Sequence, residues 1–355
     1  MKLEIATFTD TLKKLKPVAA LNKMDGPFPK GIYIGNGSAR ATSQMFSVRL
    51  DIPEATCKPF IIPMQAVDLL MGLPKDYESV DIEEKNGSMI IGCGSISATF
   101  SCQYADEFAE HTVAEETGSC TVDWETFESK LNSVLYACSK EAGRAVLSGV
   151  RFFTENGALS LLATDAYRLA WQRLDCPDGF QIDCIVPREA LSKLLALFDA
   201  EQLTIRTGRT GIVFEADGIS FTSRLIDGVY PDVKKMIPQY ENRAYVKVAE
   251  FLGVMQRVRA LCSNVTLRIT GSCMSVKGKS ETVAYSEDVM LSNALGITAD
   301  IGVSITYCID TFSTLRSAGM EEVELGISAE NTGIKPITLK EETFTGLILP
   351  VRIMG

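Results

Sequence analysis

Residues 149–170 read GVRFFTENGALSLLATDAYRLA: two strand-like runs around Asn156-Gly157, then a corner, then a third run. Asn-Gly accepts the two successive positive φ angles of a tight hairpin, and the alternating apolar residues beside it have the period of a half-buried strand. At the corner, Thr164 and Asp165 are suited to bond nearby backbone N–H groups before the chain resumes a strand at Arg168 and Leu169. Two other stretches repeat the hairpin: VDIEEKNGSMIIGCGSISATFSC (80–102) turns at Asn86-Gly87, and GIVFEADGISFTSRL (211–225) turns at Asp217-Gly218.

Helical spacing recurs around these hairpins. FTDTLKKLKPVAAL (8–21), WETFESKLNSVLYA (124–137) and VAEFLGVMQRVRAL (248–261) place apolar residues three and four apart. A second helix follows each: PMQAVDLLMGL (63–73), PREALSKLLALF (187–198) and TYCIDTFSTLRS (306–317). In the first two, proline is expected in the first helical turn, where its missing N–H costs nothing. An acidic, apolar-poor stretch near 105–120 and PQYENRA (238–244) separate the copies. The pattern predicts an α+β chain of three repeated domains, 1–115, 116–241 and 242–355, each with two helices packed on antiparallel sheet.

The chain's 355 residues are enough for several cores, and 46% of them are hydrophobic. No apolar run approaches the roughly 20 residues that cross a bilayer, and MKLEIATFTD lacks the layout of a signal peptide, so a cytoplasmic protein without membrane association is expected. A net charge of −10, from 35 basic and 45 acidic residues, argues against coating nucleic acid with the outer surface. The ten cysteines show no two-residue spacing and read as reduced, buried hydrophobes. The single histidine, His111, lies in ADEFAEHTVAEE and reads as a solvated linker residue. In GSCMSVKGKS (271–280) six residues separate two glycines where a phosphate loop has four, and GCGSIS (92–97) lacks a following helix. With no catalytic, metal or cofactor motif, a non-enzymatic binding protein is expected.

Segment 149–170 closely resembles the signature of the bacterial DNA polymerase III beta subunits, the beta sliding clamps. SRLIDGVYPDVKKMIP (223–238) and LILPVRI (347–353) resemble that family in the same order. The first third departs from it: GPFPKGIYIGNG (26–37) stands where a Leu-Pro-rich segment is usual. Ala166-Tyr167 replaces a usual Gly-His pair, and Lys235 a common arginine.

The resemblance implies a non-catalytic head-to-tail homodimer, a ring that encircles double-stranded DNA without reading its sequence. Helices facing DNA would carry Lys13, Lys14, Lys16, Lys23, Lys130, Lys140, Arg144, Lys193, Arg257 and Arg259, with Arg151 close by. A cleft between the second and third domains would bind peptides of the polymerase III alpha subunit, the clamp loader and other partners. Carried over, its residues are Thr164, Arg168, Leu169, Pro231, Met236, Tyr307, Ile334, Pro336, Leu347, Leu349, Pro350 and Val351. The dimer contact would use Phe100 on one side, Val258 and Leu261 on the other. A phage- or plasmid-type relative with altered ring closure is the alternative.

Overall fold

A computed structural model describes residues 1–23, 28–105, 108–141, 143–177, 179–280 and 282–352. Gly26 and Pro27 of the divergent segment, and Ile353 of the C-terminal motif, lie outside the described residues. The first stretch runs β1 (Lys2–Glu4), α1 (Ile5–Ala19), β2 (Gly31–Gly35), β3 (Ser38–Thr42), β4 (Phe46–Asp51), β5 (Phe60–Pro63), α2 (Met64–Met71), β6 (Ser79–Lys85), β7 (Ser88–Cys93), β8 (Ile96–Ser101) and β9 (Gln103–Tyr104). The middle runs β10 (Glu116–Asp123), α3 (Trp124–Leu135), β11 (Gly149–Glu155), β12 (Ala158–Thr164), β13 (Arg168–Asp175), β14 (Asp183–Pro187), α4 (Arg188–Leu195), β15 (Gln202–Gly208), β16 (Gly211–Ala216) and β17 (Ile219–Arg224). The last runs β18 (Arg243–Lys247), α5 (Val248–Val258), β19 (Asn264–Lys279), β20 (Ala284–Ser304), α6 (Ile305–Ser317), β21 (Glu322–Gly326), β22 (Ile337–Glu341) and β23 (Phe344–Ile348).

The helix pairs fall where periodicity predicts them, with one shift. Pro63 and Pro187 are the last residues of strands, and Pro63 caps α2 from outside with φ −67° and ψ 152° instead of opening its first turn. Each of the three turn dipeptides has both residues at positive φ, between 48° and 78°, as a two-residue hairpin requires. The segment resembling a phosphate loop is extended within β19, so it cannot cradle a phosphate at a helix start. All ten cysteines are free thiols. Burial pushes those of Cys138, Cys184 and Cys308 up to about 12.

By contacts the chain divides into two compact units, one of residues 1–124 and 189–225, the other of residues 125–188 and 226–355. Unit 1 holds a four-stranded sheet, ordered β1-β6-β7-β8, and a nine-stranded one, β10-β15-β16-β17-β4-β3-β2-β5-β9. Helix α1 buries Ile5, Phe8, Leu12, Leu15 and Ala19, its three-and-four-spaced face. Phe46 and Phe221 stack at 5.1 Å where β4 meets β17. Unit 2 is built on a ten-stranded sheet, β14-β11-β12-β13-β23-β22-β21-β18-β20-β19. There α5 and α6 pack through Phe251 and Phe312, with ring centres 4.5 Å apart.

The stretch before β10 overturns the expectation for His111. Phe108 lies against Tyr33 at 5.0 Å, Glu110 pairs with Arg40, and the His111 backbone N–H donates to Ser47 Oγ at 2.9 Å. The His111 ring is half-buried, 5.6 Å from Phe28, and its Nε2 meets the Ser43 carbonyl at 2.8 Å. The acidic neighbours in sequence gave no sign of this docking. Burial lowers its pKa below the ordinary 6.5, Arg224 adds to that, and the Ser43 bond opposes it. The unfolded chain therefore takes up this proton first as pH falls. His111's contribution should be complete above about pH 6.5 and decline below it. Melting curves between pH 8 and 5.5 should show this loss, and His111→Gln should flatten it.

Candidate binding cleft

The corner between β12 and β13 is built by its own side chains. Thr164 Oγ1 donates to the Arg168 carbonyl at 2.7 Å, and Asp165 Oδ1 accepts the N–H groups of Tyr167 and Arg168, both at 2.9 Å. The Thr164 N–H donates to the Tyr230 hydroxyl at 3.1 Å. These bonds hold Ala166 at φ +77°, a left-handed conformation that a β-carbon disfavours.

Arg168 then turns inward. Its Nε donates to Asp165 at 3.0 Å and its Nη1 to Asp310 at 2.7 Å, with the side chain 5% exposed. The guanidinium also lies 4.7 Å from the Tyr307 ring centre and 5.3 Å from that of Tyr136. Burial works against its charge, but the bonds and charges of Asp310 and Asp165 outweigh it and raise the Arg168 pKa. Arg168 is thus a buried brace joining β13 to α6, not an open contact for a ligand. Arg144 reaches the same corner, donating to the Asp165 carbonyl at 3.1 Å beneath the Tyr167 ring.

Of the other predicted cleft residues, Leu169 and Leu347 pair across β13 and β23 and share a core with Leu147, Phe153, Tyr230 and Val233. Thr164, Leu169 and Leu347 form a floor, each at most 7% exposed. Pro231, Tyr307, Leu349, Pro350 and Val351 are half-buried, and the Leu349 N–H donates to the Tyr167 carbonyl at 2.9 Å. Met236 is 64% exposed just after Val233. Ile334 (75% exposed) and Pro336 belong to the loop before β22, where the Pro336 carbonyl accepts from the Tyr240 hydroxyl at 2.8 Å. Sequence reasoning missed Tyr167 and Val229, exposed at 46% and 90%, although both lie inside the quoted motifs. It also missed Lys234, whose amine sits 4.8 Å over Phe153 and pairs with Glu155. The result is an apolar floor under apolar rim groups, a surface suited to the side chains of an extended peptide.

The remaining predicted residues fare unevenly. Phe100 is half-buried on β8, at the end of the four-stranded sheet, and Leu261 is 39% exposed beyond α5. Val258 is 0% exposed, which corrects its place in a dimer contact: it lies on the α5 face that packs inward. Lys14 pairs with Asp10, Lys16 with Asp68, and Arg257 with Glu287. The half-buried Lys130 amine donates to Thr343 at 2.6 Å beside Glu341 and Glu342. Arg151 lies on β11, and its fork closes on Asp183 through two 2.8 Å bonds. Lys13, Lys23, Lys140, Lys193 and Arg259 have no ion pair among the described residues.

This arrangement defines a clamp-type fold of helix pairs backed by long antiparallel sheets, with apolar groups gathered around the β12–β13 corner. A beta sliding clamp of Bacillus subtilis is 27% identical to this chain over 287 residues, 77% of this chain and 75% of that protein. The solved sliding clamp from Bacillus subtilis superposes with a TM-score of 0.89 at 22% identity, covering 99% of both chains. A sliding clamp from Bartonella birtlesii, solved bound to griselimycin, gives 0.88 at 21% identity, again over 99% of both. Residues 121–232 match the central domain of the DNA polymerase III beta subunit. Over this central third the chain matches that family, and along most of its length it is similar to beta sliding clamps, whose fold it shares.

The strained corner yields a test. Replacing Ala166 with glycine relieves about 1–2 kcal/mol of left-handed strain and returns about 0.5–1 kcal/mol of unfolded-chain freedom. Ala166→Gly should therefore stabilise the protein by about 0.5–1 kcal/mol in urea unfolding, with an unchanged m-value.

Proposed function

We propose that the chain acts as a head-to-tail homodimeric ring that encircles duplex DNA and tethers partner proteins through the cleft. The three-domain division at 1–115, 116–241 and 242–355 is part of this reading, supported by the repeated helix pairs and the central-domain match at 121–232. The observation that carries the ring is a pair of unlike sheet edges. β8 ends one sheet of unit 1, and β19, 16 residues long, ends the sheet of unit 2. Exposed edges of that length present rows of unpaired backbone groups that a second chain can satisfy. Pairing β8 of one copy with β19 of another joins different surfaces, and two such contacts close the assembly. Phe100 and Leu261 supply apolar side chains beside these edges.

DNA would be held topologically, so modest, sequence-independent attraction to phosphate suffices. The cations without ion pairs named above serve this role, and the chain's acidic excess keeps duplex from its outer faces. The polymerase alpha subunit and the clamp loader would dock peptides into the cleft, with apolar anchors meeting Met236, Leu169 and Leu347.

Sedimentation should give a particle of about twice 38.7 kDa at micromolar concentration. Leu261→Glu should shift it to monomer, and a dimer unchanged by that substitution would place the contact elsewhere. Met236→Glu should abolish binding of a leucine- and phenylalanine-containing peptide while the dimer persists. Simultaneous loss of dimer would show that the cleft is misplaced.

A further inference from the structure

We infer a second peptide-binding site, in unit 1, at the place in the internal repeat that corresponds to the cleft. The β3–β4 corner shares the strand register and the main turn bonds of the β12–β13 corner, although Thr42 Oγ1 bonds Ser47 Oγ where Thr164 Oγ1 bonds the Arg168 carbonyl. Thr42 is opposite Ser47 as Thr164 is opposite Leu169, and Ser43 N–H donates to the Phe46 carbonyl at 2.8 Å as Asp165 N–H does to Arg168 at 3.3 Å. Ser43 Oγ accepts the N–H groups of Met45 and Phe46, at 3.4 and 3.2 Å, as Asp165 Oδ1 accepts those of Tyr167 and Arg168. The neighbouring strand enters identically. Arg224 N–H donates to the Met45 carbonyl and Leu349 N–H to the Tyr167 carbonyl, both at 2.9 Å. Even the segment after the first helix reaches each corner, with Asn22 donating to the Thr42 carbonyl and Arg144 to the Asp165 carbonyl.

Beside the unit 1 corner lies a cavity of about 320 Å³, walled by Leu21, Phe28 and Met45, with Asn22, Lys23, Ser43, Gln44 and Glu189 as its polar groups. Leu21 is 44% exposed, and Asn22 only 8%. Both N–H bonds of the Asn22 amide are used, on the carbonyls of Pro29 and Thr42 at 3.0 and 2.6 Å. Its Oδ1 has no partner among the described residues, which leaves an acceptor fixed in orientation for a backbone N–H. Lys23 stands exposed at the rim with no ion pair among the described residues. These groups specify the occupant: a short extended peptide that donates an N–H to Asn22, sets one apolar side chain against Leu21, Phe28 and Met45, and offers a carboxylate to Lys23.

The choice of a peptide rests on reading the cleft as a peptide site, and the test separates the two. The full-length dimer carrying ¹³C-methyl methionine is titrated with acetyl-Ser-Asp-Leu-Phe-Gly-amide, with the Met45 and Met236 resonances assigned from Met45→Leu and Met236→Leu. Both should shift saturably, and the Met45 shift should persist in Met236→Glu. Leu21→Glu should weaken the Met45 event about tenfold or more and leave the Met236 event unchanged. A shift of Met236 alone overturns the second site and upholds the cleft. A shift of Met45 alone upholds the second site and overturns the cleft reading, and a shift of neither overturns both.

Discussion

Two long-range strand pairings determine everything else in this molecule. β4 pairs with β17, Phe46 opposite Ser223, and β13 pairs with β23, Arg168 opposite Ile348. Each ladder satisfies backbone groups that would otherwise be stranded in apolar surroundings, so its register is not free to slip. The corner, the floor of the cleft and the buried Arg168 brace all inherit their positions from the second pairing. The unit 1 corner inherits its position from the first in the same way.

The brace illustrates how polar groups enter such a scaffold. Arg168 has two carboxylates and two aromatic faces around it, which makes burial of its charge tolerable. Removing any single partner would leave the others desolvated and incompletely matched. Its role is geometric, fixing the distance between β13 and α6, while Tyr167, Val229 and Met236 stand exposed.

The elements were largely legible in the sequence because they are local. Asn86-Gly87, Asn156-Gly157 and Asp217-Gly218 each state a turn that two residues are sufficient to specify. Apolar spacing located all six helices, since the face it marks is the face that buries. What periodicity cannot say is which neighbour that face meets, and Val258 was misread for that reason: an apolar stripe looks the same toward a partner chain or toward its own sheet. The partners of Lys130 and Arg151, Thr343 and Asp183, could not be foreseen because they are distant in sequence. His111 was hidden by its acidic neighbours, although its ring is held by Ser43 and Phe28, far upstream. The allotment of β10 and β15–β17 to one unit and β11–β14 to the other likewise follows from strand partners far apart in the chain.

The β13–β23 ladder also sets a schedule. Residues 168–172 cannot complete their sheet until 344–348 have been made, because no earlier strand takes that edge. At about 5–20 residues per second of synthesis, the edge of β13 stays open for roughly 10–40 s. During that interval a nascent chain carries an edge that its own later strand has yet to cover. The protein's exposure to misassembly is therefore governed by how fast its message is translated, and a pause between these two strands would prolong the vulnerable state without altering the finished fold.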